Sequence, residues 1–304
     1  MDNRFDVIII GAGPAGMTAA IYASRSGLSV GMLESSAPGG KMVKTFEIAN
    51  YPSYLEINGA DLSYKMYEQT QNLGVTYLYG DVIEVEDGEL KVVKCSDGSE
   101  YKGKTVIIAT GTKERLLDIP GEIKYTSRGV SYCAVCDGAF FKNKKVVVIG
   151  GGNSALEESL YLTQFVEKLY IVIRRDVFRG DEYVVNKILQ NPKIEVIKKS
   201  IPIEILGDDK VTGITLENVD TKERTTIDVE GVFPYIGADP NTAFVKDLGI
   251  TDLNGYIIAN SEMETAIPGI YGAGDCNFKT LRQIVTATSD GAIAAQNAFH
   301  YINK

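Results

Sequence analysis

Hydrophobic positions along the chain form short continuous runs, and several of these lead into glycine-rich turns. The two clearest runs span residues 5–10 and 145–149. Apolar runs of this length, bounded by turn formers, are typical of buried strands in parallel sheets. Each run and its turn precede a segment with helical spacing of apolar residues, which predicts helices over 17–26 and 156–165. A second apolar run follows each helix, at 28–33 and at 169–173.

The repeated order of strand, glycine turn, helix and strand predicts the fold class. Two such copies indicate an α/β protein with two doubly wound, Rossmann-like nucleotide-binding domains. Further strands are expected at 82–86, 89–94, 104–108, 232–236 and 267–271, and an amphipathic helix at 283–301.

Two segments mark the expected passages between domains. Residues 114–121 and 239–248 are rich in turn formers or charge. The second domain is therefore expected to be inserted into the first. Residues 1–116 and 245–304 would form the first domain, and residues 117–244 the second.

Composition narrows the class of protein. Hydrophobic residues make up 44% and charged residues 23%, an ordinary globular mixture. The net charge of −9 argues against a nucleic-acid partner. The first six residues lack the basic and apolar regions of a signal peptide, and no basic amphipathic stretch suggests a membrane surface. We therefore expect a cytoplasmic protein.

The cysteines supply the candidate chemistry. Cys133 and Cys136 form a Cys-x-x-Cys pair, whereas Cys95 and Cys276 stand alone. In a reducing compartment a close pair is typical of a catalytic or metal-binding site. The ligand count disfavours zinc, because His300 is the single histidine. A reversible disulfide between Cys133 and Cys136 is the better interpretation.

The first glycine turn has the spacing of a dinucleotide fingerprint. Gly11 allows a tight turn, Gly13 lets a pyrophosphate approach the backbone, and Gly16 lets helix and strand pack closely. Glu34 ends the next strand, where a carboxylate can bind ribose hydroxyls. The turn residues Pro14 and Ala15 complete this candidate site.

The second turn repeats the pattern with a different ribose partner. Gly150, Gly152 and Ala155 match the three glycines of the first turn, and Asn153 and Ser154 lie between them. The position that matches Glu34 is an isoleucine, Ile173, so no carboxylate there repels a 2′-phosphate. Three nearby arginines can bind that phosphate, which predicts a preference for NADPH over NADH: Arg174, Arg175 and Arg179.

Together these motifs resemble the low-molecular-weight bacterial thioredoxin reductases over nearly the whole chain. The matching stretches are residues 11–16, 37–41, 47–52, 109–111, 132–138, 231–237, 272–275 and 282–287. The specific feature is the cysteine pair at the start of the inserted domain.

The resemblance implies FAD in the first site, NADPH in the second and thioredoxin, or a thioredoxin-like protein, as partner. It also implies a homodimer. In the FAD site, Asp275 would hold the ribitol and phosphate region. The other residues implied there are Ser35, Gly39, Gly40, Lys41, Asn50, Ala109, Thr110, Gly111, Gly274, Arg282, Gln283 and Ile284. Cys136 would face the flavin, and Cys133 would attack the partner disulfide.

Dithiol chemistry also needs a group that exchanges protons with the sulfurs. His300 lies far away in sequence, so Asp137, next to Cys136, is the better candidate acid. This role requires a raised pKa from partial burial.

Some residues depart from the family pattern and keep other interpretations open. Lys41 and Ile173 stand where the family usually has glutamine and histidine. Gly180 stands where it usually has alanine, and the acids that follow, Asp181 and Glu182, could weaken a phosphate site. One alternative is an enzyme of the same fold that takes electrons from ferredoxin or another donor. A second is a flavin-bound redox sensor without turnover.

Overall fold

The computed structural model describes residues 3–45 and 48–304, with only the backbone of Lys44. Two of the sequence predictions fall partly outside the described residues. Glu47 belongs to one of the stretches that resemble the family, and residues 1–2 belong to the N-terminal segment that lacks the features of a signal peptide. The chain divides into two compact units. The first comprises Met1–Lys113 and Asp239–Lys304, and the second Glu114–Ala238. The expectation from sequence put the two passages at 116/117 and 244/245.

The N-terminal part of the first unit alternates strands and helices before it becomes all strand. It contains β1 Arg4–Ile10, α1 Pro14–Arg25, β2 Val30–Glu34, α2 Gly59–Asn72, β3 Thr76–Tyr79, β4 Val82–Glu86, β5 Lys91–Cys95, β6 Glu100–Ile108 and β7 Thr112–Glu114. A short 3₁₀ helix at Gly40–Lys44 precedes α2.

The second unit has its own set of strands and helices. These are α3 Ala134–Asp137, β8 Lys145–Ile149, α4 Asn153–Leu162, β9 Lys168–Val172, α5 Glu182–Gln190, β10 Ile194–Ile197, β11 Ser200–Gly207, β12 Val211–Asn218, β13 Arg224–Asp228 and β14 Gly231–Pro234. A 3₁₀ turn at Gly138–Phe141 follows α3. After β14 the chain forms β15 Ala238–Pro240, β16 Ile270–Gly272 and α6 Ile284–Ile302, with 3₁₀ turns at Ala243–Leu248 and Gly274–Cys276.

Each unit is built around a parallel sheet. In the first unit the strand order is β3-β2-β1-β6-β5-β4, with β16 also paired to β6. The pairs among β3, β2, β1, β6 and β16 are parallel, and β4 and β5 add an antiparallel edge. In the second unit β10-β9-β8-β14 is parallel throughout, and β11-β12-β13 forms a separate antiparallel meander. The predicted fold class is confirmed.

Helices α1 and α6 pack closely because the facing residues are small. The buried face of α6 is made largely of alanine and glycine, and so is the face of α1. At Gly291 an added Cβ would lie 2.1 Å from the carbonyl oxygen of Ala15. Only glycine permits this approach, which brings α6 against the first turn of α1.

Element boundaries differ from the expectations at several points. Helix α1 begins at Pro14 rather than at residue 17, because proline is well suited to the first helical position. Helix α4 likewise begins directly after Gly152 rather than at residue 156. Strand β16 begins three residues later than expected, after Pro268, which has no N–H to donate, and Gly269 at φ +81°. Helices α2 and α5, strands β3 and β10 and the meander are among the elements that the sequence pattern did not predict. Within residues 3–45 and 48–304, none of the helices combines the length and the hydropathy that a membrane span requires.

Candidate active site

The first glycine turn is fixed by backbone contacts that exclude side chains. Gly11 has φ +103°, and an added Cβ would lie 2.5 Å from the carbonyl oxygen of Ala109. An added Cβ on Gly16 would lie 1.8 Å from the carbonyl oxygen of Gly11. At Gly13, which precedes the first residue of α1, the same test meets nothing within 4 Å. Gly13 therefore leaves open space at a helix N-terminus, which suits a pyrophosphate.

Glu34 clamps this turn. Its Oε2 accepts a 2.9 Å hydrogen bond from the backbone N–H of Ala12. Its Oε1 accepts from the backbone N–H groups of Ser35 and Ser36 at 2.9 and 3.0 Å. The carboxylate thus holds the turn to the end of β2. Its remaining lone pairs can accept from ribose hydroxyl groups.

A second loop lies against the same turn. Gly39 donates a 2.7 Å backbone hydrogen bond to the carbonyl of Ala12, and its φ of +119° favours glycine. An added Cβ on Gly40 would lie 3.5 Å from the Cα of Gly13. Lys41 continues the loop, and its Nζ donates to Thr112 Oγ1 at 2.7 Å.

Strand β6 is the third strand whose carboxyl end lies beside the first glycine turn. Residues Ala109, Thr110 and Gly111 follow β6, and Ala109 donates to the carbonyl of Ile10 at 2.8 Å. Asn241 holds this segment through hydrogen bonds to the carbonyls of Thr110 and Gly111, both at 3.0 Å. The predicted residues 109–111 therefore lie beside the glycine turn.

The end of β16 brings Asp275 to this edge. The preceding residue, Gly274, has φ +82°, and its added Cβ would lie 2.9 Å from the Cβ of Ala15. The backbone N–H of Gly274 donates to Asp290 Oδ2 at 2.9 Å, and Lys279 Nζ donates to the same oxygen at 2.5 Å. This largely buried ion pair fixes the turn that carries Asp275 against the start of α1.

The residues before α6 form a connected group. Arg282 donates to the carbonyl of Asp275 at 3.3 Å, and its guanidinium stacks over the Tyr256 ring at 4.6 Å. Gln283 caps α6 and accepts a 3.0 Å hydrogen bond from the side-chain amide of Asn50. Ile284 is the first residue of the helix. The structure thus brings the whole predicted FAD set to the carboxyl edge of one parallel sheet, where such folds bind ligands.

The second glycine turn repeats the geometry of the first. Gly150 has φ +146°, and its added Cβ would lie 2.3 Å from the carbonyl oxygen of Tyr235. Gly152 precedes α4, and an added Cβ there meets nothing within 4 Å. The N-terminus of α4 is therefore open to a phosphate in the same way as that of α1.

Backbone hydrogen bonds establish which residue matches Glu34. The N–H of Gly11 donates to Leu33, directly before Glu34, and the N–H of Gly150 donates to Val172, directly before Ile173. Ile173 is buried and packs toward Gly151, so the position that matches Glu34 carries no carboxylate. The three arginines that follow are exposed, and within the described residues their guanidinium groups form no hydrogen bond or ion pair: Arg174, Arg175 and Arg179.

The departures at 180–182 form part of this second site. An added Cβ on Gly180 would lie 2.5 Å from Leu156 Cδ1 and 2.8 Å from Asn153 Oδ1, so a larger residue would require these two side chains to shift. Asn153 bonds Asp181 twice, through its amide at 3.1 Å and its oxygen at 2.7 Å. The two bonds hold the loop against the first residue of α4. Glu182 begins α5 and is exposed.

Cys133 and Cys136 form a disulfide with Cα atoms 5.3 Å apart, within the usual range. Cys133 lies at the N-cap of α3, and its Sγ accepts a 3.2 Å hydrogen bond from the backbone N–H of Cys136. A donor aimed at this sulfur stabilises its thiolate form after reduction. The backbone therefore favours Cys133 as the nucleophile.

Asp137 meets the condition set for a candidate acid. Burial raises the pKa of its carboxyl group, and a hydrogen bond from Ser131 partly offsets that effect. The bond joins Ser131 Oγ to Asp137 Oδ2 at 2.5 Å. A carboxyl group with a raised pKa stays protonated over a wider pH range and can return a proton to a thiolate.

Two groups near the cysteine pair were not found from sequence. The Tyr235 hydroxyl accepts a 2.6 Å hydrogen bond from the N–H of Ala134, the first residue of α3. Glu158 lies on α4, and burial raises the pKa of its carboxyl group to about 7. Its Oε2 is buried and has no hydrogen-bond partner among the described residues. Tyr235 and Glu158 lie 101 and 24 positions after Ala134, so no local pattern signals these contacts.

The geometry fits two dinucleotides better than one. In both turns an added Cβ at the second glycine meets no atom within 4 Å, and no side chain caps the helix that follows. Each turn also has its own residues at the position expected to contact the ribose. Residues 3–45 and 48–304 contain no group of three or more histidine, cysteine, aspartate or glutamate residues arranged to hold a metal ion. The Cys133–Cys136 disulfide belongs to the same unit as the second turn.

Comparisons with known proteins agree with this arrangement. A family model described as pyridine nucleotide-disulphide oxidoreductase matches residues 5–291. Proteins named thioredoxin reductase from Listeria monocytogenes and Bacillus subtilis are 48% and 49% identical to this chain. Both alignments cover 100% of this chain, with 95% and 96% of the relatives.

Solved structures of similar proteins extend the comparison to three dimensions. The thioredoxin reductase from Streptococcus pyogenes superposes with a TM-score of 0.96 at 50% identity, covering 100% of this chain and 99% of that one. The thioredoxin reductase from Giardia duodenalis gives 0.95 at 36% identity, covering 99% of each.

Proposed function

The chain belongs to the pyridine nucleotide-disulphide oxidoreductase family, and on that premise we propose that it is an FAD-dependent thioredoxin reductase that uses NADPH. Its partner is thioredoxin or a thioredoxin-like protein. The observation that carries this function is the disulfide at Cys133 and Cys136 in a chain with two open glycine turns. A simple dinucleotide-binding module needs neither the disulfide nor a second glycine turn, and a single-cofactor dehydrogenase does not need both turns and the disulfide.

The first turn and the edge around it would hold FAD. Gly13 would admit the pyrophosphate and Glu34 would accept from the ribose, and Asp275 directly follows Gly274, which lies against Ala15 at the start of α1. When bound, FAD takes a hydride equivalent from NADPH and supplies two electrons to the disulfide. The role of the protein is to bind and orient both cofactors.

The second turn would hold NADPH. Gly152 admits its pyrophosphate at the N-terminus of α4. Arg174, Arg175 and Arg179 are exposed, and none of them has an ion-pair partner in the part of the chain that the structure describes, so they are available for the 2′-phosphate. Asp181 is hydrogen-bonded to Asn153, which fixes the position of its carboxylate in the loop beside the N-terminus of α4.

Reduction of the partner proceeds by thiol–disulfide exchange at the cysteine pair. The Cys133 thiolate attacks one partner sulfur, which forms a mixed disulfide and releases the other partner sulfur as a thiolate. The Cys136 thiolate then attacks Cys133 Sγ, which restores the Cys133–Cys136 disulfide and releases the second partner thiolate. Asp137 would supply one proton to a departing thiolate, and solvent the other.

The protein is expected to act as a homodimer in the cytoplasm. The dimer follows from the resemblance, and the cytoplasm from the need to keep a dithiol reduced. Size-exclusion chromatography with light scattering tests the first, and fractionation of the source cells tests the second.

The decisive experiment separates the proposed donor from ferredoxin. The purified flavoprotein is mixed anaerobically with NADPH, NADH and reduced ferredoxin in parallel, and flavin absorbance is followed. We expect rapid bleaching by NADPH, slower bleaching by NADH and none by ferredoxin. If reduced ferredoxin bleached the flavin and neither nucleotide did, the protein would be the ferredoxin-dependent enzyme instead. Multiple turnovers of oxidised thioredoxin would exclude a redox sensor.

A further inference from the structure

Ser131 lies at the centre of the hydrogen bonds around Asp137. It is 5% exposed, and its backbone N–H donates to the carbonyl of Val232 on β14 at 3.0 Å. Its Oγ lies 2.5 Å from Asp137 Oδ2 and 3.3 Å from the carbonyl oxygen of Cys133. The same Oγ accepts a 3.1 Å hydrogen bond from the N–H of Cys133. The backbone of Ser131 is therefore anchored to β14, and its hydroxyl group bonds both the candidate acid and the backbone of Cys133.

A hydroxyl group in this position can serve either charge state of the acid. It carries one proton and has two acceptors within reach. When Asp137 is ionised, the Ser131 hydroxyl donates to Oδ2. When Asp137 is protonated, the carboxyl group donates to Ser131 Oγ, and the hydroxyl proton can turn to the Cys133 carbonyl. Neither state leaves a buried polar group without a partner, a situation that is costly in protein interiors.

We propose that Ser131 is a positioning residue for Asp137, which it holds in both protonation states, and that it thereby sets the pH range of proton transfer at the Cys133–Cys136 pair. This inference rests on the proposed function, because it assumes that Asp137 is the acid. Ser131 acts through Asp137, whose Oδ2 bonds its hydroxyl group.

Titratable groups on other elements also face this cluster. Tyr235, directly after β14, bonds Ala134 and is affected by the charges of Asp137 and Glu158. Glu158 lies on α4, against which α3 packs. Since these groups remain in a Ser131 variant, they provide a constant background against which the effect of the hydroxyl can be measured.

The test compares Ser131→Ala, Ser131→Thr and Asp137→Asn in the holoenzyme. The protein is reduced with two electrons, and its oxidation by thioredoxin is followed by stopped flow as a function of pH. We expect Asp137→Asn to lack one limb of the wild-type profile. Ser131→Ala should move that limb to higher pH by about one unit. The bond that the hydroxyl donates to the ionised carboxylate is charge-assisted, so it is stronger than the bond it accepts from the protonated acid, and its loss disfavours ionisation. Ser131→Thr, which keeps the hydroxyl, should restore the wild-type position.

The outcomes distinguish this inference from the proposed function. A limb that is absent in Asp137→Asn but unmoved in Ser131→Ala overturns the role of Ser131 alone. A limb that persists in Asp137→Asn overturns the acid assignment, and the inference with it. Infrared spectra of the wild-type carboxyl C=O stretch give a reading that needs no folded alanine variant. A stretch typical of a hydrogen-bonded acid supports the inference, and that of a free acid overturns it.

Discussion

The arginines of the second turn offer the sharpest test of cofactor choice. Arg174 and Arg175 are exposed and, within the described residues, unpaired, so truncating both to alanine breaks no hydrogen bond or ion pair among those residues. The free energy lost is therefore that of the contacts between the two arginines and the bound nucleotide. A charge-assisted hydrogen bond contributes about 1.5–3 kcal/mol, and exposure lowers this to about 1 kcal/mol for each arginine. A total of about 2 kcal/mol corresponds to roughly 30-fold weaker binding of NADPH.

The assay is anaerobic bleaching of the flavin over a range of NADPH and NADH concentrations. We expect the double variant to lose roughly 30-fold in apparent NADPH affinity and to keep its NADH affinity, because NADH lacks the 2′-phosphate. The matched control is Lys222→Ala with Arg224→Ala. It removes the same two charges from the same unit, where both side chains pair with Glu217.

The comparison with the control decides the outcome. A similar loss in both double variants would show a general effect of charge rather than a phosphate site. An unchanged preference for NADPH in the Arg174→Ala, Arg175→Ala protein would refute the assignment of the second turn. High salt should weaken the wild-type preference, because the arginines are exposed.

Three further predictions follow from other parts of the structure. Gly13→Val should fold, because an added Cβ there meets no atom within 4 Å, but it should lose FAD, because the side chain fills the space for the pyrophosphate. Gly16→Ala should fail to fold, because its Cβ would lie 1.8 Å from a carbonyl oxygen. The flavin spectrum checks the first variant, and the yield of folded protein checks the second. Asp290→Ala strands the ammonium group of Lys279 and should cost about 3–5 kcal/mol, seen as a lower melting temperature and easier loss of FAD; equal melting temperatures would contradict it. Burial raises the pKa of Glu158 from 4.5 to about 7, so the folded state binds its proton more tightly and stability falls as the pH rises through that window. Glu158→Gln should therefore raise the melting temperature more at pH 8 than at pH 5.

The sequence was most informative where a local pattern has one structural solution. Gly11, Gly16 and Gly150 occupy positions that backbone crowding reserves for glycine, so their spacing predicts the turns directly. The cysteine spacing similarly predicted a pair able to close a disulfide. Boundaries were less reliable, as at Pro14 and Gly152, because apolar periodicity does not mark the polar first turn of a helix.

What the sequence alone determined is therefore the fold class, the two nucleotide turns and the redox pair, since each is encoded by neighbours in the chain. Only the tertiary structure placed Asp290 against Gly274, Tyr235 against Ala134 and Ser131 against Asp137. The first two contacts join residues that are distant in sequence, and the third depends on how the segment before α3 bends. Such contacts depend on the path of the whole chain and on which side chains it buries together, and these are decided by packing rather than by any local pattern.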